Sequence, residues 1–171
     1  MVDSLFVAES KIEGPLVSSD ISGLIGQYAH GNEPSHHIVH LYNYVNQSWK
    51  AQQLIDTILH TQYFNNPNGL SGNEDCGQMS AWYVLNAMGF YQVCPGSPIY
   101  SVGRPIFDKV TINLPNGKVF EIIANNNSRT NKYIQSIRLD NILLESPFFM
   151  HSDIMKGGKI VMEMGNTPVK Q

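Results

Sequence analysis

Two short stretches of this chain concentrate the groups able to move protons or hold a cation. The first is His30-Gly31-Asn32-Glu33-Pro34-Ser35-His36-His37. It gathers hydrogen-bonding and metal-capable side chains in a loop leading into a helix, and function concentrates in such loops. Taken singly, Asn32 and Glu33 do no more than dress a helix N-terminus, where the macrodipole favours negative charge, and His36, His37 and His40 are packed or solvated imidazoles. The density of the whole cluster argues for a site. His36 and His40 lie four apart and can share a helix face, as zinc ligands do, yet the HExxH pattern with its general base is absent. A zinc hydrolase using His36, His40 and Glu33 is therefore a minor alternative. Hard oxygen donors from Asn32 or Glu33 suit calcium better, although one segment cannot furnish the six or more ligands that calcium takes.

The second stretch, Gly72-Asn73-Glu74-Asp75-Cys76-Gly77-Gln78-Met79-Ser80, sets two adjacent carboxylates in a glycine-flanked turn before an almost wholly apolar helix. A plain helix cap accounts for one acid there, either Glu74 or Asp75. The pair together, beside Asn73 and with glycine on each side for close approach, points to a site. At a helix N-terminus Asp75 would be held as the anion by the dipole and by free backbone N–H groups. That suits a base. Such a carboxylate takes a proton from water, while a protonated carboxyl across a sugar ring donates to the leaving oxygen.

The elements that must position these groups change character near residue 100, from helical spacing before it to alternation after it. Residues 1 to 34 are loop-like, with room for one short helical turn. Ser35 can cap a helix with Ile38, Leu41, Tyr42 and Val45 on one face, and Ser48 a second through Ala51, Leu54, Ile55, Ile58 and Leu59, giving a helical hairpin. Asn65-Asn66-Pro67-Asn68-Gly69 interrupts before a third helix over Asp75 to Met88, ended by Gly89 and apolar enough to sit inside a larger helical assembly. Beyond Cys94-Pro95-Gly96-Ser97-Pro98, Val110 to Leu114 alternates as a strand. Pro115-Asn116-Gly117 makes a hairpin turn, and Lys118 to Ala124 returns. Tyr133 to Leu139 and Lys159 to Met164 add two strands, with a helical turn at Asp153 to Lys156 between them.

The totals limit the function classes. A chain of 171 residues, 42% hydrophobic, can bury one ordinary core or two small ones. A net charge of −3, with no basic stripe, argues against a nucleic-acid partner. No uncharged apolar run approaches the roughly 20 residues of a membrane span. The first six residues do not read as a signal peptide. Cys76 and Cys94 have no paired spacing and are expected as two buried thiols.

Asp20-Ile21-Ser22-Gly23-Leu24-Ile25-Gly26-Gln27-Tyr28-Ala29-His30-Gly31-Asn32-Glu33-Pro34-Ser35-His36-His37 and Leu70-Ser71-Gly72-Asn73-Glu74-Asp75-Cys76-Gly77-Gln78-Met79-Ser80-Ala81-Trp82-Tyr83 resemble signature blocks of family-92 glycoside hydrolases. Tyr91 to Pro98, Phe107 to Val110, Ala124 to Ser128 and Lys132 to Ser136 extend the likeness over nearly the whole chain. The resemblance implies calcium-dependent exo-α-mannosidases that invert configuration and act on terminal mannosides of N-glycans, with α-1,2 linkage as the family-based expectation. Such enzymes join a β-sandwich to an (α/α)6 barrel, are several times longer than this chain, and lie in the periplasm or outside the cell.

Carried over by motif, Asp75 would be the general base with Asn73 and Glu74 beside it. His30, Asn32 and Glu33 would line the mannose site, and calcium, touched by Asn32 and Glu33, would hold sugar hydroxyls. The fold class expected is α+β: residues 1–100 as the C-terminal part of the catalytic barrel, residues 101–171 as a small antiparallel β-module. The family's general acid sits upstream of the His-Gly-Asn-Glu-Pro block, and Glu9 and Glu13 do not match its setting. The expectation is thus a chain carrying one side of a site, inactive alone, with the missing N-terminal region of the same enzyme as its partner. A non-catalytic carbohydrate- or calcium-binding remnant is the alternative.

Overall fold

The computed structural model describes residues 2–15, 17–18 and 21–170; Asp20, which opens the block around His30, lies outside them. Helix α1 (Val2–Val7) lays Phe6 against Tyr28 and Tyr42, with ring centroids 4.9 and 6.3 Å apart. A two-residue hairpin, β1 (Leu24–Ile25) against β2 (Tyr28–Ala29), then delivers the chain to His30.

The expected α-helix behind Ser35 is instead a 310 turn at Glu33–Ser35 and a longer 310 stretch at Ile38–Val45, closed by Asn46 at φ 56°. The buried residues are Val39, His40, Tyr42 and Asn43. Three residues per turn eclipse positions three apart, so Val39 stacks over Tyr42 in an apolar row and His40 over Asn43 in a polar one. An α-helical twist would split both rows. The second expected helix forms as α2 (Ser48–Thr61), burying Ala51, Gln52, Ile55, Ile58 and Leu59.

Helix α3 (Gln78–Met88) starts three residues later than its sequence suggests. The reason is the backbone before it, where Asp75, Cys76 and Gly77 carry φ of 49°, 57° and 92° and cannot join a right-handed helix. Nor is α3 enclosed on all sides. It buries Met79, Trp82, Asn86 and Ala87, while Val84 stays 52% exposed beside exposed Ser80 and Ala81.

The second half holds two sheets. β3 (Phe90–Tyr91), β4 (Ile99–Val102) and β9 (Phe148–Met150) form a three-stranded antiparallel one. The larger sheet has the order β5 (Lys109–Asn113), β6 (Val119–Asn125), β10 (Gly158–Gly165), β7 (Tyr133–Leu139), β8 (Ile142–Leu143). It is mixed, which corrects the expectation of a purely antiparallel module: after α4 (His151–Lys156) the chain enters between β6 and β7, parallel to β6 with Ile160 opposite Ile122, and antiparallel to β7. The Asn116-Gly117 hairpin forms as expected, with Gly117 at φ 77°.

The whole is a mixed α+β fold with no closed barrel among the described residues. Its apolar core divides in two. One cluster surrounds Trp82, Ile55 and Ile58; the other fills the sheets around Phe120, Ile122, Ile160 and Met162. Polar ties cross between the halves: the Gln52 amide oxygen accepts from the Ile134 N–H at 3.0 Å, and the buried Arg104 guanidinium lies 3.0 Å from Asp56 of α2 while donating to the Ser128 carbonyl at 2.8 Å. Cys76 and Cys94 are both exposed, not buried, because each occupies a turn. No helix among the described residues is long and apolar enough to cross a membrane.

Candidate active site

The two acidic stretches, forty residues apart in sequence, meet at a pair of glycines. A Cβ on Gly72 would fall 2.3 Å from the Gly31 carbonyl oxygen, and a Cβ on Gly31 would fall 2.7 Å from the Ser71 carbonyl oxygen and 2.1 Å from Ser22 Oγ. No real side chain fits at such distances, so only glycine lets these backbones touch. Hydrogen bonds from the His30 N–H to the Gly23 carbonyl (3.1 Å) and from the Gly31 N–H to the Ser22 carbonyl (3.0 Å) prolong the β1–β2 hairpin up to this contact.

Beyond the contact each loop turns outward. Asn32 is extended (φ −126°, ψ 123°) and half-buried, and Glu33 opens the 310 turn and is exposed. On the other side Asn73, Glu74 and Asp75 are all exposed. Glu74 performs the capping that sequence alone leaves open for either acid: its carboxylate accepts the Ser80 N–H at 3.0 Å and the Ser80 hydroxyl at 2.9 Å. Glu74 thus supplies a carboxylate to the first turn of α3. Asp75 instead begins the run of positive φ, a conformation that costs a non-glycine residue about 1–2 kcal/mol.

Behind the loops lies a layer of buried, neutral imidazoles. His30 is 0% exposed, so its side chain backs the loop and does not face solvent. The Tyr63 hydroxyl donates to the Met79 carbonyl at 3.1 Å and so accepts Nε2–H of His30 at 2.7 Å; His30 Nδ1 then accepts from the Tyr28 hydroxyl at 2.9 Å. Burial, with His36 beside it, pushes the His30 pKa down to about 3. His36 is lowered mainly by burial; its Nε2–H donates to the His30 carbonyl at 3.0 Å, and Gln78 donates to its Nδ1 at 3.1 Å. The Trp82 indole N–H closes on the His36 carbonyl at 3.0 Å.

His40, also pushed down by burial to about 4, donates through Nε2 to Asn86 at 2.9 Å and accepts through Nδ1 from Ser101 at 3.3 Å. The ring nitrogens of His36 and His40 are thus engaged with separate partners. Among the described residues no group of three or more His, Cys, Asp or Glu side chains could hold a metal ion. That removes the zinc alternative's geometry. For calcium, Asn32 and Glu33 offer oxygens of the right kind but an incomplete set.

The model of the glycosyl hydrolase family 92 catalytic domain matches residues 1–166. The chain belongs to glycosyl hydrolase family 92. A family-92 α-mannosidase of Bacteroides thetaiotaomicron, solved in complex with mannoimidazole, is 40% identical with a TM-score of 0.91 over 99% of this chain and 22% of its own. An inverting family-92 mannosidase of the same species is 37% identical with a TM-score of 0.81, over 98% of this chain and 24% of its own. An uncharacterized secreted glycosidase of Arthroderma benhamiae is 27% identical over 138 residues, 79% of this chain and 18% of that protein. The family-92 chain described here thus spans between 18% and 24% of the length of these relatives.

Sequence reading singled out both loops but passed over Tyr63, the side chain that touches the base of each. Its signal was its place just ahead of the Asn-Pro-Asn-Gly turn, which brings Tyr63 into a backbone bridge with Leu70, two residues before Gly72.

Proposed function

We propose that this family-92 chain carries the base side of an inverting α-mannosidase site, acting on terminal α-mannosides of glycans, with α-1,2 linkage as the first substrate to try. Asp75 is the general base: its carboxylate takes a proton from a water on the ring face opposite the leaving oxygen, and single displacement inverts the anomeric centre. Asn73 sits beside it to orient the water. Asn32 and Glu33 contact sugar hydroxyls, and Glu74 holds the turn. The observation that carries this reading is the Gly31–Gly72 contact, which unites two loops bearing Asn32, Glu33, Asn73 and Asp75.

A calcium ion, when bound, would hold sugar hydroxyls, with Asn32 and Glu33 as two of its oxygen ligands and the others drawn from outside residues 1–171. Deprotonation of water by Asp75 is assigned to this chain's own carboxylate. Residues 1–100 are read as a piece of an (α/α)6 barrel and residues 101–171 as its β-module. The proton donor to the leaving oxygen belongs to the remaining length that the relatives possess. By its likeness to a glycosidase named as secreted, the protein is assigned outside the cytoplasm.

Calorimetric titration with methyl α-mannoside in calcium, run beside an assay of mannose release from an α-1,2-linked disaccharide, tests this. The expected result is binding that a chelator abolishes and Asn32→Ala weakens, that Asp75→Asn leaves nearly intact, and no release of mannose by the chain alone. Absence of sugar binding would sink the site. Turnover abolished by Asp75→Ala would replace the divided site with a complete one.

A further inference from the structure

Tyr63 occupies an unusual place. Its backbone is tied to Leu70 by an isolated bridge, which fixes it at the foot of the segment leading to Gly72 and Asp75. Its ring lies parallel to Trp82, with an interplanar angle of 2°, and edge-on to His30 at 5.4 Å. Its hydroxyl reaches the buried space between the two loops and spends both hydrogen-bonding roles there, accepting from His30 at 2.7 Å and donating to the Met79 carbonyl at 3.1 Å. His30 immediately precedes Gly31-Asn32-Glu33, and the Met79 N–H is itself bonded to the Glu74 carbonyl at 3.3 Å. One oxygen atom therefore joins the root of the Asn32/Glu33 loop to the helical turn from which Asp75 departs.

We infer that Tyr63 is a positioning residue that sets the relative placement of the sugar-contacting loop and the Asp75 turn. The Gly31–Gly72 contact cannot do this alone, because touching backbones without a hydrogen bond between them can slide. The His36–Gln78 bond acts further along the first loop, beyond Glu33. The inference rests on the reading of Asn32, Glu33 and Asp75 as one site.

The test uses the isotope-labelled 171-residue chain and Tyr63→Phe, which deletes the hydroxyl and keeps the ring. Amide hydrogen exchange should rise about five- to tenfold at residues 31–33 and 72–77 together, the loss expected for hydrogen bonds of this kind, while β6 and β10 stay unchanged. The His30 ring nitrogens should lose the fixed Nε2–H tautomer in nitrogen-15 spectra. Methyl α-mannoside affinity should fall by a similar factor in Tyr63→Phe and not in Tyr83→Phe, which alters a neighbouring ring.

Exchange that rises in one loop only, in neither, or equally across β6 and β10 overturns the assignment. If Tyr63→Phe does not fold, His30→Leu, which removes the ring nitrogen that donates to the Tyr63 hydroxyl, is read in the same way. A wild-type chain that binds no mannoside sinks the proposed function, and the exchange pattern still decides whether Tyr63 couples the loops.

Discussion

The sheet core is carbon and sulfur throughout, with Phe120, Ile122, Ile160 and Met162 at most 1% exposed, whereas the core around Trp82 encloses His30, His36 and His40 just as completely. Dispersion and burial hold the first, and they fall off smoothly when a side chain moves. Directional bonds are added to burial in the second, each imidazole with a donor side and an acceptor side already assigned. The half with these bonds is the half that carries the acidic loops. Apolar packing secures a fold within loose tolerances; placing a carboxylate against a second loop demands the narrower tolerance of a saturated hydrogen-bond network.

The contrast can be broken by experiment. Phe120→Ala should cost about 3–5 kcal/mol, read as a lowered urea midpoint, because it opens a cavity in the apolar half. If the fluorescence of Trp49 and Trp82, both in the helical half, kept the wild-type midpoint, the two cores would be independent folding units.

Acid should act on the other core. His40 is neutral in the fold down to about pH 4, while the unfolded chain takes up a proton near pH 6.5. Stability is thus complete above pH 6.5 and is lost as pH falls toward 4, by about 3 kcal/mol at full effect. Denaturation curves at stepped pH should show this decline, and His40→Gln, which keeps a donor and an acceptor but does not titrate, should lessen it and leave the share that His30 and His36 contribute. His40→Leu at neutral pH should cost about 2 kcal/mol by stranding Asn86 and Ser101; a smaller loss than for His40→Gln would refute the network's importance. The smallest effect is at Cys76, whose positive φ makes Cys76→Gly stabilising by about 1 kcal/mol and Cys76→Val destabilising by a similar amount in thermal melts.

Legibility followed the same division. The Asn116-Gly117 turn, the β5 alternation and the face of α2 could be read because each is decided by residues near one another in the chain. The 310 character of Ile38–Val45 could not, since the repeat that matters pairs His40 with Asn43 and both with Ser101, some 58 residues away. Nor could the onset of α3, because positive φ at Asp75 and Cys76 contradicts their ordinary preference. The three-stranded sheet escaped notice for a different reason: its strands are two to four residues long, and β9 comes from a segment far along the chain from β3 and β4. For the candidate site, residue types pointed at both loops, but only the fold brings Gly31 to Gly72.

The position of β10 at the middle of the larger sheet also dictates an order of assembly. While the polypeptide is being synthesised, residues 109–125 and 133–143 emerge as two separate hairpins, each with a raw edge, and nothing joins them until residues 158–165 arrive to fill the gap. Ribosomal products stopped short of residue 158 should therefore be sticky, protease-sensitive and dependent on chaperones, and the last eight-residue strand should convert them abruptly to a closed sheet.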